Sequence, residues 1–198
     1  MALPPPDRLA RQVAFIVEID KLKAVLRHNL VTGAPRRETT AEHSWHLGAM
    51  ALTLADHAEP GVDLLRVLKM LLIHDLVEID AGDSFLYDAA ARASAAARER
   101  AAAERLYGML PADLAAELRA LWDEFEAATS QDARFARALD QLQPVLLNYH
   151  TDGGSWRAHD VSGADVLRKK AVIADGAPAL WRYAEALIRD AIAKGWLK

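Results

Sequence analysis

The chain contains no cysteine. Disulfides, thiolate metal sites and cysteine nucleophiles are therefore excluded. It also lacks any apolar run near the ~18 residues needed to span a bilayer, so no membrane partner is expected. Met1 to Ala10 carries Pro4-Pro5-Pro6 and no apolar core, which is not the pattern of a signal peptide; a soluble cytoplasmic protein is expected. There is no basic surplus: 24 Lys and Arg face 28 Asp and Glu, a net charge of −4. Long-range attraction for nucleic acid or an anionic membrane does not follow, and any anionic ligand must be held by local groups. No segment alternates polar and apolar over a convincing strand length, and neither a repeat nor an interdomain linker is found. What is present is ordinary globular composition, 52% hydrophobic and 26% charged over 198 residues. That length supports one domain with a sizeable core.

Helical spacing dominates. Leu9, Val13, Ile16, Ile19, Leu22 and Leu26 recur at three- and four-residue intervals, one apolar stripe on a first helix with Asp7 as its N-cap. Val31 to Arg37 holds Gly33 and Pro35 and reads as a loop. Thr39 with Glu42 fits a capping box, opening a second helix that runs to about His57. A third begins near Asp63; Leu64 to Ile73 is apolar on nearly every face, so this helix is expected to be central and buried. Gly82 is the expected terminator. Asp88 to about Met109 is alanine-rich and helix-favouring. Pro111 opens a further helix in its first turn. Ser130 caps the next, whose stripe is Phe135, Ala138, Leu139, Leu142 and Leu146. Thr151 to Ser155 reads as a turn, Ser162 with Asp165 as another capping box, and Gly176 and Pro178 as the break between the last two helices. The expected architecture is all-α, seven or eight helices in a single domain 1–198.

The end of the third helix carries the chemistry. In Leu71-Leu72-Ile73-His74-Asp75-Leu76-Val77-Glu78 three ionisable groups close the most apolar helix of the chain. Burying them is costly unless something neutralises them. On a regular helix His74 and Glu78 share a face and Asp75 is offset by about 100°. A dication would resolve the cost, and imidazole plus carboxylate is a ligand set for Mn, Fe, Co, Ni or Zn, with Mg less suited. His43 lies in the first turn of the second helix, with His46 three residues on as a partner or a surface group. Asp140 sits mid-helix between Ala136 and Pro144, either solvent-facing or paired inside. Pro144 cannot donate to the carbonyl of residue 140, so a bend is expected there.

The order His43, His74-Asp75, Asp140 resembles the H…HD…D signature of the HD-domain metallohydrolases, a helical-bundle family binding metal through two histidines and two aspartates. With Arg27, Thr40-Ala41-Glu42-His43-Ser44, His74-Asp75-Leu76-Val77-Glu78 and Gly82-Asp83, the likeness narrows to the branch of the 5′-deoxynucleotidases. It covers roughly residues 11–150, with the C-terminal helices of 160–195 packing on that core. The resemblance implies that His43, His74, Asp75 and Asp140 bind one divalent ion, Mn, Co, Fe, Ni, Zn or Mg. It implies that Glu78 orients the metal's water, that Asp83 acts on that water or on the leaving oxygen, and that Arg27 contacts the substrate phosphate. The implied activity is hydrolysis of nucleoside 5′-monophosphates, deoxynucleotides foremost, by a homodimer. His28 stands where characterised deoxynucleotidases carry tryptophan, which bears on sugar preference. Two alternatives remain open: an HD phosphoesterase for a polyphosphorylated or non-nucleotide substrate, and a non-catalytic binding protein stabilised by its metal.

No histidine occurs between Asp88 and Leu139. HD enzymes with several metals take histidines from that stretch, so a mononuclear site is expected. Guanosine-polyphosphate hydrolases typically read HDxxED, whereas Ile79 follows Glu78 here. Arg36-Arg37 is a candidate phosphate contact or a solvated pair. Trp122, Trp156, Trp181 and Trp196 read as core or interface residues, and Trp45 as pocket lining or packing. The alanine-rich helix, with Arg92, Arg98, Arg100 and Arg105 offset by Glu99 and Glu104, reads as packed on one side and solvated on the other.

Overall fold

The computed structural model describes residues 7–87 and 89–198, and of residues 89–94 the backbone alone. The Pro4-Pro5-Pro6 run, Asp88 and the Arg92 side chain lie outside the described residues. Helix α1 spans Arg8–Ile19. The Asp7 carboxylate caps it, accepting from the Ala10 amide at 2.7 Å. A 3₁₀ turn over Asp20–Ala24 follows.

Next comes a small antiparallel hairpin, β1 (Leu26–Leu30) with β2 (Arg37–Thr39), pairing Leu26 with Thr39 and Leu30 with Arg37 across an irregular register. The sequence reading of Leu26 as helix and of the region as strandless is corrected here. Strands of five and three residues are too short to display a period of two, and their burial is inverted. Asn29 is buried while Leu26 is exposed.

Helix α2 (Thr40–Thr53) opens on the expected capping box. The Thr39 hydroxyl accepts from the Glu42 amide at 3.2 Å, and Glu42 Oε2 accepts from the Thr39 amide at 2.9 Å. The helix stops before a 3₁₀ turn at Ala55–His57. Helix α3 is Leu64–Ile73, capped by Asp63. It gives way to a 3₁₀ turn over His74–Val77 and a single helical turn, α4 (Glu78–Ala81), which ends at Gly82 with φ +73°. That positive φ favours glycine.

Helices α5 (Ala89–Tyr107), α6 (Ala112–Ala127) and α7 (Gln131–His150) follow. Pro111 precedes the first turn of α6 rather than lying in it. The Ser130 hydroxyl caps α7, and the helix runs through Pro144 without interruption. The segment read as a turn at Thr151–Ser155 already begins the short α8 (Gly154–Ala158). Helix α9 (Gly163–Lys170) starts after Ser162, but Ser162 makes no capping bond; Asp165 pairs with Arg168 at 2.7 Å instead. Helix α10 (Pro178–Ala193) begins with proline in its first turn. Among the described residues eight helices have eight residues or more, and none is long and apolar enough to cross a membrane.

Helix α7 runs through the core, burying Phe135, Leu139, Leu142 and Val145. The C-terminal helices close onto it so tightly that a Cβ at Gly176 would lie 2.1 Å from the Arg134 carbonyl oxygen. Trp122 and Trp156 are buried. Two helical faces depart from expectation. Helix α3 is not buried all round, because Leu65 and Leu72 face outward. Helix α1 buries Phe15, while Leu9, Val13 and Ile16 of its apolar stripe stand exposed.

Candidate metal centre and catalytic pocket

The apolar sequence of α3 drives Val67, Met70 and Leu71 into the core and carries the chain inward to His74. There the helix tightens. Buried aromatics add donors to two carbonyls at the break: Tyr107 Oη donates to Ile73 O at 3.0 Å, and Trp122 Nε1 donates to His74 O at 3.1 Å. The regular-helix offset expected between His74 and Asp75 is thus replaced by 3₁₀ geometry. In it Asp75 Oδ1 lies 3.2 Å from His74 Nε2.

Three separate parts of the chain meet at this point. His43, fully buried in the first turn of α2, places Nε2 3.0 Å from Asp140 Oδ1 and 3.7 Å from Asp75 Oδ2. Asp140 Oδ1 is 3.8 Å from His74 Nε2. His43, His74 and Asp75 each offer a ligand atom within 4.8 Å of the others. Asp140, whose direction the sequence leaves open, faces inward from α7. His46 does not join them; its Nδ1 lies 3.3 Å from Gln143 Nε2.

The donor set fits a cation. His74 Nδ1 donates to the Leu71 carbonyl at 3.0 Å, so Nε2 is the ring nitrogen that faces two carboxylates. That atom is buried without a hydrogen-bond partner. Burial opposes a charged His74, yet Asp75 and Asp140 raise its pKa well above the usual imidazole value. The same field favours a dication. Burial and then Arg27 push His43 down to about 4, keeping it the neutral imidazole a metal requires. Although burial works against it, His74 and Arg27 hold Asp75 at about 2.

Arg27, delivered by β1, lies among acids. Its Nη1 donates to Asp75 Oδ2 at 2.9 Å and is 3.9 Å from both Glu78 Oε1 and Asp83 Oδ1. Its Nε is 3.6 Å from Glu38 Oε2. Glu78 Oε2 accepts from the Thr40 hydroxyl at 2.8 Å, and burial, with Asp75 adding to it, pushes this carboxyl up to about 9. Asp83 follows the Gly82 turn into the same space.

Three supporting residues, Glu38, Gln141 and Gln143, escape the sequence reading, and Thr40, quoted there only within a motif, gains a role. Glu38 is buried beside His43 Nδ1 at 3.8 Å and accepts from Gln143 Nε2 at 2.6 Å. Thr40 fixes Glu78. Gln141 Nε2 donates to Asp140 Oδ2 at 2.8 Å. The only available signal was polar side chains inside otherwise apolar stretches, as with Gln143 next to Leu142.

A cavity of about 320 Å³ is lined by Arg27, His74, Asp75, Glu78, Asp83 and Asp140, together with Phe85, Tyr87 and Trp156. His28 lines it too, with its ring 4.7 Å from that of Phe85 and 5.2 Å from that of His159. Arg36 is instead engaged by Glu42 at 2.6 Å, and Arg37 by the carbonyls of Leu26 and Arg27. Trp45 is 70% exposed and does not line the cavity.

The family model for the HD domain matches residues 19–181, reaching past the motif-bearing part into α10. The 5′-deoxynucleotidase HDDC2 of Mus musculus is 29% identical over 74% of this chain and 72% of its own length. That of Bos taurus is 32% identical over 67% of this chain and 63% of its own, so the match spans less than two thirds of the bovine protein. A predicted metal-dependent phosphohydrolase from Magnetospirillum magnetotacticum MS-1, known as a crystal structure, is 52% identical with a TM-score of 0.93, covering 100% of this chain and 99% of that one. The chain belongs to the HD domain family, and the relatives it matches mark it as an enzyme.

Proposed function

We propose that the chain hydrolyses nucleoside 5′-monophosphates, deoxynucleotides foremost, to nucleoside and inorganic phosphate. The observation that carries this reading is the meeting of His43, His74, Asp75 and Asp140, the last three lining a cavity sized for a small molecule. The names of the mouse and bovine relatives support the substrate class. These four residues would hold one divalent ion, Mn, Fe, Co, Ni, Zn or Mg. Bound there, such an ion lowers the pKa of water and draws charge from the phosphoryl oxygens.

Each remaining residue has a task set by its position. Glu78, its carboxyl anchored by Thr40, orients the attacking water and takes its proton; positive charge in the cluster offsets the burial that otherwise keeps this group protonated. Arg27 turns from the acids toward the phosphate, where its forked donors match the geometry. Asp83 acts on that water or on the leaving 5′ oxygen, which takes up the proton that Glu78 removed as the P–O bond breaks. His28 and Phe85 supply ring faces for the nucleoside.

The test is phosphate release from a panel of nucleotides and sugar phosphates with Mn, Co and Mg. Turnover of 5′-monophosphates is expected. No turnover of any phosphomonoester by folded, metal-loaded protein would sink the reading, and turnover of cyclic or polyphosphorylated substrates alone would replace it.

We also propose that the protein is a homodimer. Leu9, Val13, Ile16 and Val17 on α1, Trp45 and Leu52 on α2, and Leu65 and Leu72 on α3 are all 48–70% exposed. A shallow groove joins Ile16, Trp45, Leu52 and Leu72. These eight side chains expose on the order of the 800 Å² that a standard interface takes from each partner. A second copy brings the same apolar patch, so the face is complementary to itself.

A further inference from the structure

Lys170 ends α9, in the part of the chain that carries none of the sequence motif. It is 4% exposed, yet it lines the same cavity as His74 and Asp140. Nζ donates to Gln141 Oε1 at 2.9 Å. Among the described residues it forms no ion pair, so a buried ammonium with three donors meets one neutral acceptor. Arg27 is the opposite case, a buried cation with Asp75, Glu78, Asp83 and Glu38 around it.

Position narrows what Lys170 could meet. Gln141 accepts from Lys170 and donates to Asp140 Oδ2 at 2.8 Å, so two hydrogen bonds separate the ammonium from a carboxylate of the metal cluster. A phosphate bound at that cluster would share the cavity that Lys170 lines. Burial lowers the ammonium pKa to about 8, with Asp140 opposing, so the group is still charged at neutral pH. A buried charge of this kind costs stability until an anion meets it.

We propose that Lys170 is a substrate-binding residue whose ammonium donates to an oxygen of the substrate's phosphate group. This rests on the phosphomonoester reading above. Lys170 supplies the cation free of carboxylates, whereas Arg27 must first exchange its acid partners. Gln141 aims the ammonium and ties its place to that of Asp140, so phosphate and metal are held in register.

The test is calorimetric titration of inorganic phosphate into Mn-loaded wild type, Lys170→Met, Lys170→Gln and Lys170→Arg, with Mn affinity and steady-state constants measured on the same preparations. The two neutral variants should bind phosphate about tenfold more weakly and raise KM by a similar factor. Their Mn affinity should be unchanged, and Lys170→Arg should recover most of the phosphate binding. Should Lys170→Met not fold, Lys170→Gln, which keeps a donor for Gln141, carries the comparison. Phosphate affinity within twofold of wild type in a folded neutral variant would overturn the proposal. So would lost Mn affinity with phosphate binding intact, which would make Lys170 a support for Asp140 alone. Phosphate titration does not depend on which ester is cleaved. A wild type inactive on nucleotides therefore refutes the nucleotide reading and leaves the Lys170 result to stand or fall separately.

Discussion

The Nδ1 proton of His74 is held by the Leu71 carbonyl at 3.0 Å, which turns Nε2 toward Asp75 Oδ1 at 3.2 Å. The bond to Leu71 fixes both the tautomer and the tilt of the ring. Such outer partners are what make an imidazole a dependable ligand. The arrangement exists because α3 tightens into 3₁₀ geometry just where its apolar sequence ends.

Glu78 and Asp75 should separate in their effects. Asp75→Ala removes a carboxylate from the cluster and is expected to lose metal. Glu78→Ala should retain metal and lower kcat by about 10²-fold or more, the usual contribution of a positioned proton acceptor. Metal content by elemental analysis together with kcat checks both. Full activity in the two variants would show that the site assignment is wrong.

Tyr107 is expected to act at a distance from the chemistry. Tyr107→Phe removes the hydroxyl that donates to Ile73 O, at a cost of about 1 kcal/mol. Because this carbonyl lies at the break before His74, metal affinity should weaken as well. Thermal unfolding and metal titration of the variant would show both changes, whereas an unchanged metal affinity would separate the break from the site.

The α2 capping box should give an acid-sensitive contribution to stability. Hydrogen bonds from Arg36 and the Thr39 amide hold Glu42 at about 2, below its ordinary 4.5. A depressed carboxylate stabilises the fold above its unfolded pKa and loses that contribution as pH falls through the folded one. The window is therefore pH 4.5 to about 2. Thr39→Ala should cost about 1 kcal/mol at neutral pH. Urea unfolding at a series of pH values should show Glu42→Gln with a flatter acid limb than wild type; an identical limb would exclude the cap as a contributor.

The exposed face of α1, α2 and α3 predicts a concentration-dependent dimer. Trp45→Glu combined with Leu72→Glu should give a monomer with an intact fold, since both side chains are already exposed and surface changes there cost within about 0.5 kcal/mol. Light scattering coupled to size exclusion reads the mass. A wild-type monomer at all concentrations would remove the homodimer proposal.

The sequence by itself determined the features that depend on near neighbours. Asp7, Thr39 with Glu42, and Ser130 announce helix starts because a cap bonds within three residues of itself. His74-Asp75 stands out because ionisable groups closing an apolar helix demand a partner, whereas His43 and Asp140 stand out only through their likeness to the H…HD…D signature. Tertiary structure alone decided the rest. The hairpin that delivers Arg27 has strands too short to carry a period. The break at His74 depends on Tyr107 and Trp122, which reach its carbonyls from other helices. The outward turn of the α1 stripe depends on which face the neighbouring helices leave room for. Lys170 has no local mark at all, because what makes it notable is a burial and a cavity assembled from residues far apart in the chain. Local hydrogen bonding is written in adjacent residues, but which way a side chain faces is settled by packing between segments that no short window contains.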